Sequence, residues 1–314
     1  MFSYLLGRMI GGVVTLFCVT ALAFFATALA PGNPASVLLG NMATPERIEA
    51  ITHQLGLDQP LPVRYGLWLR ETLLGNFGTS NVSFKPVNDL LLAAAFPTIQ
   101  LALISLVVAV IVAIPLGLIL AQNRNSWWSR PASGLITVGI SVPGFWVGLM
   151  LIVLFSVTLK LLPSGGYVSP GKNIIGNLRS LVLPVATLAI YLIPSLVRFV
   201  RVTAITVLRE DYVDTARAKG TAPGAILLRH VAPNTLVTTI TYIGLQLGVL
   251  ISGAVVVELI FSIPGLGRLG LNAVLNRDYP VVQGVVLLAA TGYVAVNLLI
   301  DLAYALIDPR VRAR

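Results

Sequence analysis

Six stretches of this chain run far enough without a charge to cross a bilayer: Met9–Ala30, Leu90–Asn123, Pro131–Leu159, Ser180–Val197, Val231–Val257 and Tyr279–Ile300. A hydrocarbon core takes about 20 apolar residues in a helix. Backbone without water to bond must close its hydrogen bonds internally. The pattern therefore predicts an all-α integral membrane protein with six transmembrane helices. Leu90–Asn123 exceeds one span, and its helix is expected to start near Pro97, whose missing N–H suits a first helical turn. Arg8 and Ala28-Leu29-Ala30 imitate the flanks of a signal peptide. The run Met9–Ala30 covers 22 residues, however, against the roughly 7–15 of a signal-peptide core. It is read as a retained first span.

Two polar regions between the spans carry helical patterns of their own. In residues 31–96, Thr44-Pro45 form an N-cap and first-turn pair. Ile48, Ile51 and Leu55 follow at helical spacing, and Gly56 ends the run. Pro62 then opens a segment with Tyr65, Trp68, Leu69 and Leu73 on one face, broken by Gly75-Asn76-Phe77-Gly78-Thr79-Ser80. Two readings stand: interfacial helices with Trp68 as membrane anchor, or a platform for an external partner. The other region is Glu210–Asn234. Acidic Glu210, Asp211 and Asp214 begin it, and Arg217 and Lys219 end its first part, which suits the helix dipole. Asp214 and Arg217 form an i,i+3 pair, and Gly220 is a natural C′ residue. A short solvated helix is one explanation. A docking element held at the membrane face is the other.

Charge sets the expected orientation. The chain is 56% hydrophobic and 11% charged with a net charge of +9, and its mean hydropathy is +0.89. Arg8, Arg124, Arg130, Arg198, Arg201, Arg209, Arg217, Lys219, Arg229, Arg310, Arg312 and Arg314 fall on one side of the six-span scheme. Fewer cations, among them Lys160, Lys172, Arg179, Arg268 and Arg277, fall on the other. The positive-inside rule then places both termini and the Glu210–Asn234 loop in the cytoplasm, and residues 31–96 outside. The basic excess reads as topology and lipid attraction, not nucleic-acid binding.

Candidate chemistry is sparse. Gly166-Tyr167-Val168-Ser169-Pro170-Gly171-Lys172-Asn173 nearly spells a P-loop, but Asn173 stands where Ser or Thr belongs and no strand precedes it. His53 and His230 are expected on opposite membrane faces. Cys18, the single cysteine, is read as a small buried hydrophobe. No catalytic, cofactor or metal constellation is expected. Glu258, Asp301 and Arg198 lie near span ends, where each can reach an interface. The absence of a midplane acid argues against an ion-driven carrier. Gly144/Gly148 and Gly244/Gly248 have a helix-packing spacing, and Pro115, Pro143, Pro184 and Pro194 would kink or break helices. Pro264, Gly265 and Gly267 imply a tight re-entrant or surface turn. In the fifth span, Gln246, Ser252 and Glu258 are each turned by about 120° from the last. Ser252, Glu258, Pro264 and Gly265 are the candidate outer gate.

Several strings resemble one family. Asp214-Thr215-Ala216-Arg217-Ala218-Lys219-Gly220 resembles the Glu-Ala-Ala loop of ABC importer permeases, with Asp214 for Glu and Thr215 for the first Ala. The longer string Asp211 to Asn234 is closer to the peptide-permease branch. QLGLDQPLPVRYGLWL before LLGNFGTS, the turn FSIPGLGRLGLNAVLNRDYPVVQG and the tail IDLAYALIDPRVR resemble the same oligopeptide, dipeptide and nickel branch. The resemblance implies the first permease subunit of a bacterial type I ABC importer in the inner membrane, forming half of the path for short peptides. A nickel, glutathione or haem importer of that branch is the alternative, and a stand-alone channel or secondary transporter the more distant one. Residues 1–96 would be the first span with its outer helical loop. Residues 97–314 would be a five-helix core with a coupling loop at 201–234. The implied partners are a second permease subunit, cytoplasmic ATPase subunits carrying ATP and Mg, an extracytoplasmic substrate-binding protein and the lipid bilayer. The implied ATPase-coupling residues are Asp211, Asp214, Thr215, Ala216, Arg217, Lys219 and Gly220.

Overall fold

A computed structural model describes residues 2–29, 44–54, 56 and 58–307. Its elements are helices: α1 (Phe2–Ala28), α2 (Pro45–Gln54), α3 (Leu61–Leu73), α4 (Val87–Gln122), α5 (Ser129–Ser141), α6 (Gly144–Leu151), α7 (Ile174–Val207), α8 (Asp211–Ala218), α9 (Pro223–Ile226), α10 (Ala232–Ile260), α11 (Leu266–Leu275) and α12 (Tyr279–Ile307). Two π-helical stretches, Ile152–Thr158 and Leu227–Val231, extend α6 and lead into α10. Among the described residues, four helices are long and apolar enough to span a membrane, and six spans result if each of two bent pairs counts as one.

The helix boundaries depart from the sequence reading in three places. The helix expected to start near Pro97 begins ten residues earlier, at Val87, and carries Pro97 and Pro115 inside it. A proline removes one N–H donor, but neighbouring turns and helices can absorb that in a membrane helix. The third apolar run is not straight: α5 and the α6 segment meet at 98°. Val142 is extended there and Pro143 caps the second piece, as a residue before proline resists the helical region. The turn expected at Pro264–Gly267 ends at Gly265, the N-cap of a ten-residue amphipathic helix, α11, which takes in Gly267.

The chain divides into two compact units. The first is built on Pro97–Ile263 with the ends of the chain. Its centre is α7, whose Leu188, Leu192, Leu196 and Val197 pack with Leu101, Ala109, Ala113 and Leu120 of α4 and Leu250 and Val257 of α10. Small residues permit close approach: a side chain at Gly148 would press on Thr187, and one at Gly244 would collide with Ile300. Buried hydroxyls fold back on their own helices, as Ser105 does on Leu101 O, Thr187 on Leu183 O and Thr239 on Thr235 O.

The second unit comprises Leu6–Phe96 and Pro264–Val294. Here α3 lies along α1. Tyr65 and Trp68 pack against Phe24, at ring-centroid distances of 5.5 and 5.6 Å. The Tyr65 hydroxyl is 3.0 Å from Thr20 Oγ1. Trp68 is thus a packing residue of this unit. The Gly75–Pro86 loop is tied to the start of α12. Asp278, 4% exposed, accepts from Ser80 Oγ at 2.5 Å and from Asn81 N at 3.0 Å. Ser80 Oγ in turn accepts from the Val82 and Ser83 N–H groups. One carboxylate thereby organises a loop almost 200 residues away in sequence.

Replacing Asp278 by alanine strands the Ser80 hydroxyl and the Asn81 N–H, at a cost of about 2–3 kcal/mol. The purified D278A chain is expected to lose about 5 °C or more of thermal stability, and Ser80→Ala less. A D278A melting curve that overlays the wild type would show that this clamp does not hold the loop.

Candidate functional site

The Glu210–Asn234 region folds as two helices and a π-helical stretch, and its first helix is the candidate site. Eight residues are too few for a stable isolated helix, since single helices below about 12–15 residues are marginal in water. Two features compensate. The first is a complete C-terminal cap. Gly220 takes φ +76°, its N–H donates to Arg217 O at 2.9 Å, and Thr221 N donates to Ala216 O at 3.2 Å. This is the paired Schellman pattern, which needs a left-handed residue at C′. The second is an apolar anchor. Val213 is 0% and Ala216 8% exposed. Spaced i,i+3, they lie on one face and enter a cluster with Leu118 and Ala121 of α4, Val200 and Ala204 of α7, and Ile226, Leu227 and Val231.

The opposite face is bare. Asp211, Tyr212, Asp214, Thr215, Arg217, Ala218 and Lys219 are exposed. Arg217 donates to Asp214 at 2.7 Å, but both side chains are more than half exposed, and such pairs contribute only about 0.3–0.5 kcal/mol. Desolvation, and then the neighbouring Glu210 carboxylate, push the Tyr212 phenol above its usual pKa, so it stays a neutral hydrogen-bonding group at physiological pH. Beside the helix lies a cleft of about 610 Å³, lined by Ala121, Arg124, Arg209, Asp214, Arg217 and Pro223 among others. Of the seven coupling residues expected from the sequence, six therefore share an open surface or the cap, and Ala216 is the buried anchor. Val213, its partner anchor, was missed. Its apolar character at i−3 from Ala216 was the available signal.

Of the candidate gate residues, Glu258 and Gly265 are buried and Pro264 is exposed. Glu258 does not reach an interface as its place near a span end suggested. It is 0% exposed, and Thr98 Oγ1 donates to its carboxylate at 2.5 Å within the first unit. A buried carboxylate needs such a donor, and α4 supplies it. Pro264 is exposed, while Gly265 is buried as the cap of α11. The side chain of Ser252 lies outside the described residues. Gln246, also of this span, donates to Ser195 Oγ at 2.7 Å.

The near-P-loop forms no phosphate cradle. Gly166–Asn173 is a loop, and the Gly166 N–H is used by Phe261 O at 2.7 Å. His53 pairs with Asp58 at 2.9 Å in the second unit, and His230 belongs to the π-helical stretch of the first. Among the described residues no group of three or more His, Cys, Asp or Glu could hold a metal ion.

The arrangement is a short helix anchored on one face beside a bundle of spans, and comparisons with known proteins place the whole chain. The family model described as binding-protein-dependent transport system inner membrane component matches residues 113–313, and the model of its N-terminal part matches residues 1–112. The glutathione transport system permease protein GsiC of Salmonella typhi is 39% identical over 99% of both chains. A Brucella abortus (strain 2308) protein, named provisionally as a peptide transport system permease, is 40% identical over 99% of both. A chain of the MetNI methionine ABC transporter, solved in inward-facing conformations, shares the fold: TM-score 0.60 at 17% identity, covering 70% of this chain and 96% of that one. The chain is thus a multi-pass inner-membrane protein, and it belongs to the family of binding-protein-dependent transport system inner membrane components.

Proposed function

We propose that this permease subunit forms half of the path by which an ATP-driven importer moves short peptides, and that α8 (Asp211–Ala218) is where the driving force enters. The observation that carries the coupling role is the two-faced character of α8: Val213 and Ala216 are buried on α4 and α7 while the charged face is open. An ATPase subunit gripping the open face would move α8 as a rigid lever. The apolar cluster would pass that motion to Leu118 and Ala121 on α4 and to Val200 and Ala204 on α7, tilting those spans. ATP and Mg belong in this scheme to the ATPase subunits, and this chain does no chemistry of its own. A second permease chain completes the path, and an extracytoplasmic binding protein delivers the cargo. The Lys and Arg distribution favours cytoplasmic termini and a cytoplasmic α8.

The peptide assignment draws on the names of the relatives. Glutathione is itself a short peptide, so the two names agree on cargo chemistry. The assembled transporter in proteoliposomes, with its binding protein, is expected to take up labelled di- or tripeptides only when ATP is supplied. Failure of any short peptide, glutathione included, to enter would refute the cargo assignment.

Gly220→Val tests the lever. A β-branched residue held at left-handed φ costs about 1–2 kcal/mol, a factor of about 5–30 in the folded cap. Uptake is expected to fall towards that extent with normal membrane insertion, and Asp214→Lys to impair ATPase association. Uptake unchanged in both variants would remove α8 from the coupling path. Topology is checked with Lys85→Cys and Lys219→Cys, each in a Cys18→Ala background. An impermeant thiol reagent should reach the first only from outside the cell and the second only from inside, and same-side labelling would overturn the orientation.

A further inference from the structure

Two polar stripes meet inside the apolar part of the first unit. On α7 (Ile174–Val207), Tyr191, Ser195 and Arg198 are spaced i, i+4, i+7 and share one face. On α10 (Ala232–Ile260), Thr238, Tyr242 and Gln246 repeat at i+4. The stripes touch: Gln246 Nε2 donates to Ser195 Oγ at 2.7 Å and is 3.3 Å from the Tyr242 hydroxyl. The Tyr242 ring stacks on Phe199 with centroids 4.1 Å apart. The rest of this face is open. Tyr191 is 40% exposed, and Arg198 and Thr238 are exposed. Among the described residues, Tyr191, Arg198 and Thr238 have no hydrogen-bond or ion-pair partner.

Lipid is a poor neighbour for such a face, because a cation and free hydroxyls are costly in hydrocarbon. A dry protein contact would suit it only if the neighbour brought a counter-charge to the Arg198 guanidinium. Water satisfies all three groups. We infer that the seam of Tyr191, Ser195, Arg198, Thr238, Tyr242 and Gln246 lines the water-filled translocation path, and that Arg198 receives the carboxylate end of the passing peptide. The guanidinium suits this, as its planar fork matches a carboxylate with two parallel hydrogen bonds. The Gln246–Ser195–Tyr242 network holds the two helices in register behind it. The carboxylate part of the inference rests on the peptide reading above, and the water-lined part does not.

The test uses the assembled transporter in proteoliposomes and has two arms. In a Cys18→Ala background, Tyr191→Cys, Arg198→Cys and Thr238→Cys are treated with a water-soluble thiosulfonate, with Ile111→Cys, on an exposed apolar site of α4 (Val87–Gln122), as the reference. The three seam positions should react at least about tenfold faster than Ile111→Cys, given that hydrocarbon excludes a charged reagent. Equal rates would overturn the water-lined seam. The second arm compares Arg198→Gln with Arg198→Lys for uptake of a tripeptide and of its C-terminal amide. Arg198→Gln should lower uptake of the free acid about tenfold, the order of one charge-assisted hydrogen bond. It should leave amide uptake and binding-protein-stimulated ATP hydrolysis within about twofold, and Arg198→Lys should restore part of the loss. Equal loss for acid and amide, or parallel loss of ATP hydrolysis, would overturn the carboxylate role. Seam labelling of the cysteine variants, with no uptake of any short peptide by the wild-type transporter, would refute the cargo reading and leave the lined path standing.

Discussion

Hydrocarbon offers no hydrogen bonds, so a chain that crosses it must pair its own polar groups, and much of this structure follows from that constraint. The spans are helices because helices close their backbone bonds locally. Serine and threonine side chains turn back to carbonyls one turn earlier. Side chains too long to do so meet across helices. Glu258 takes its proton donor from Thr98. Gln100 donates to Asn177 while accepting from Tyr167. Against this background of internal pairing, polar groups left open carry information. The bare faces of α7 and α10, and the charged face of α8, are places where the chain alone is incomplete.

The same logic explains why α8 is rigid although it is short. Its eight residues could not hold a helix in water on propensity alone. Burial of Val213 and Ala216, with the Gly220 cap, fixes it to the ends of α4 and α7. An element fixed on one face and open on the other transmits displacement rather than absorbing it. Interactions between its exposed charges are too weak to contribute much to this.

The extent of α8 was legible in the sequence because its signals are local: acids in the first turn, a base in the last, and glycine at C′. The two helices at Pro45–Gln54 and Leu61–Leu73 were legible for the same reason. What escaped was non-local or depended on compensation. Pro97 reads as a helix start, yet the helix runs through it from Val87. Pro143 could have kinked or broken its span, and only the structure shows the bend of 98°. Ser80 and Asp278 are far apart in the chain, as are Thr98 and Glu258, and nothing in either neighbourhood names the other. Glu258 illustrates the cost: its position near a span end suggests reach to an interface, yet it is fully buried and accepts from Thr98 on another helix. The polar positions Ser195 and Gln246 were visible as residues, but their meeting across two helices was not.

The central claim is that the exposed face of α8 is held by an ATPase subunit during transport. A photoreactive side chain at Thr215, exposed at the middle of α8, tests it in the intact, transporting complex. The account predicts a cross-link to the ATPase whose yield changes when ATP is bound. An actively transporting complex in which position 215 never cross-links to the ATPase, but reacts with lipid or solvent alone, would contradict it.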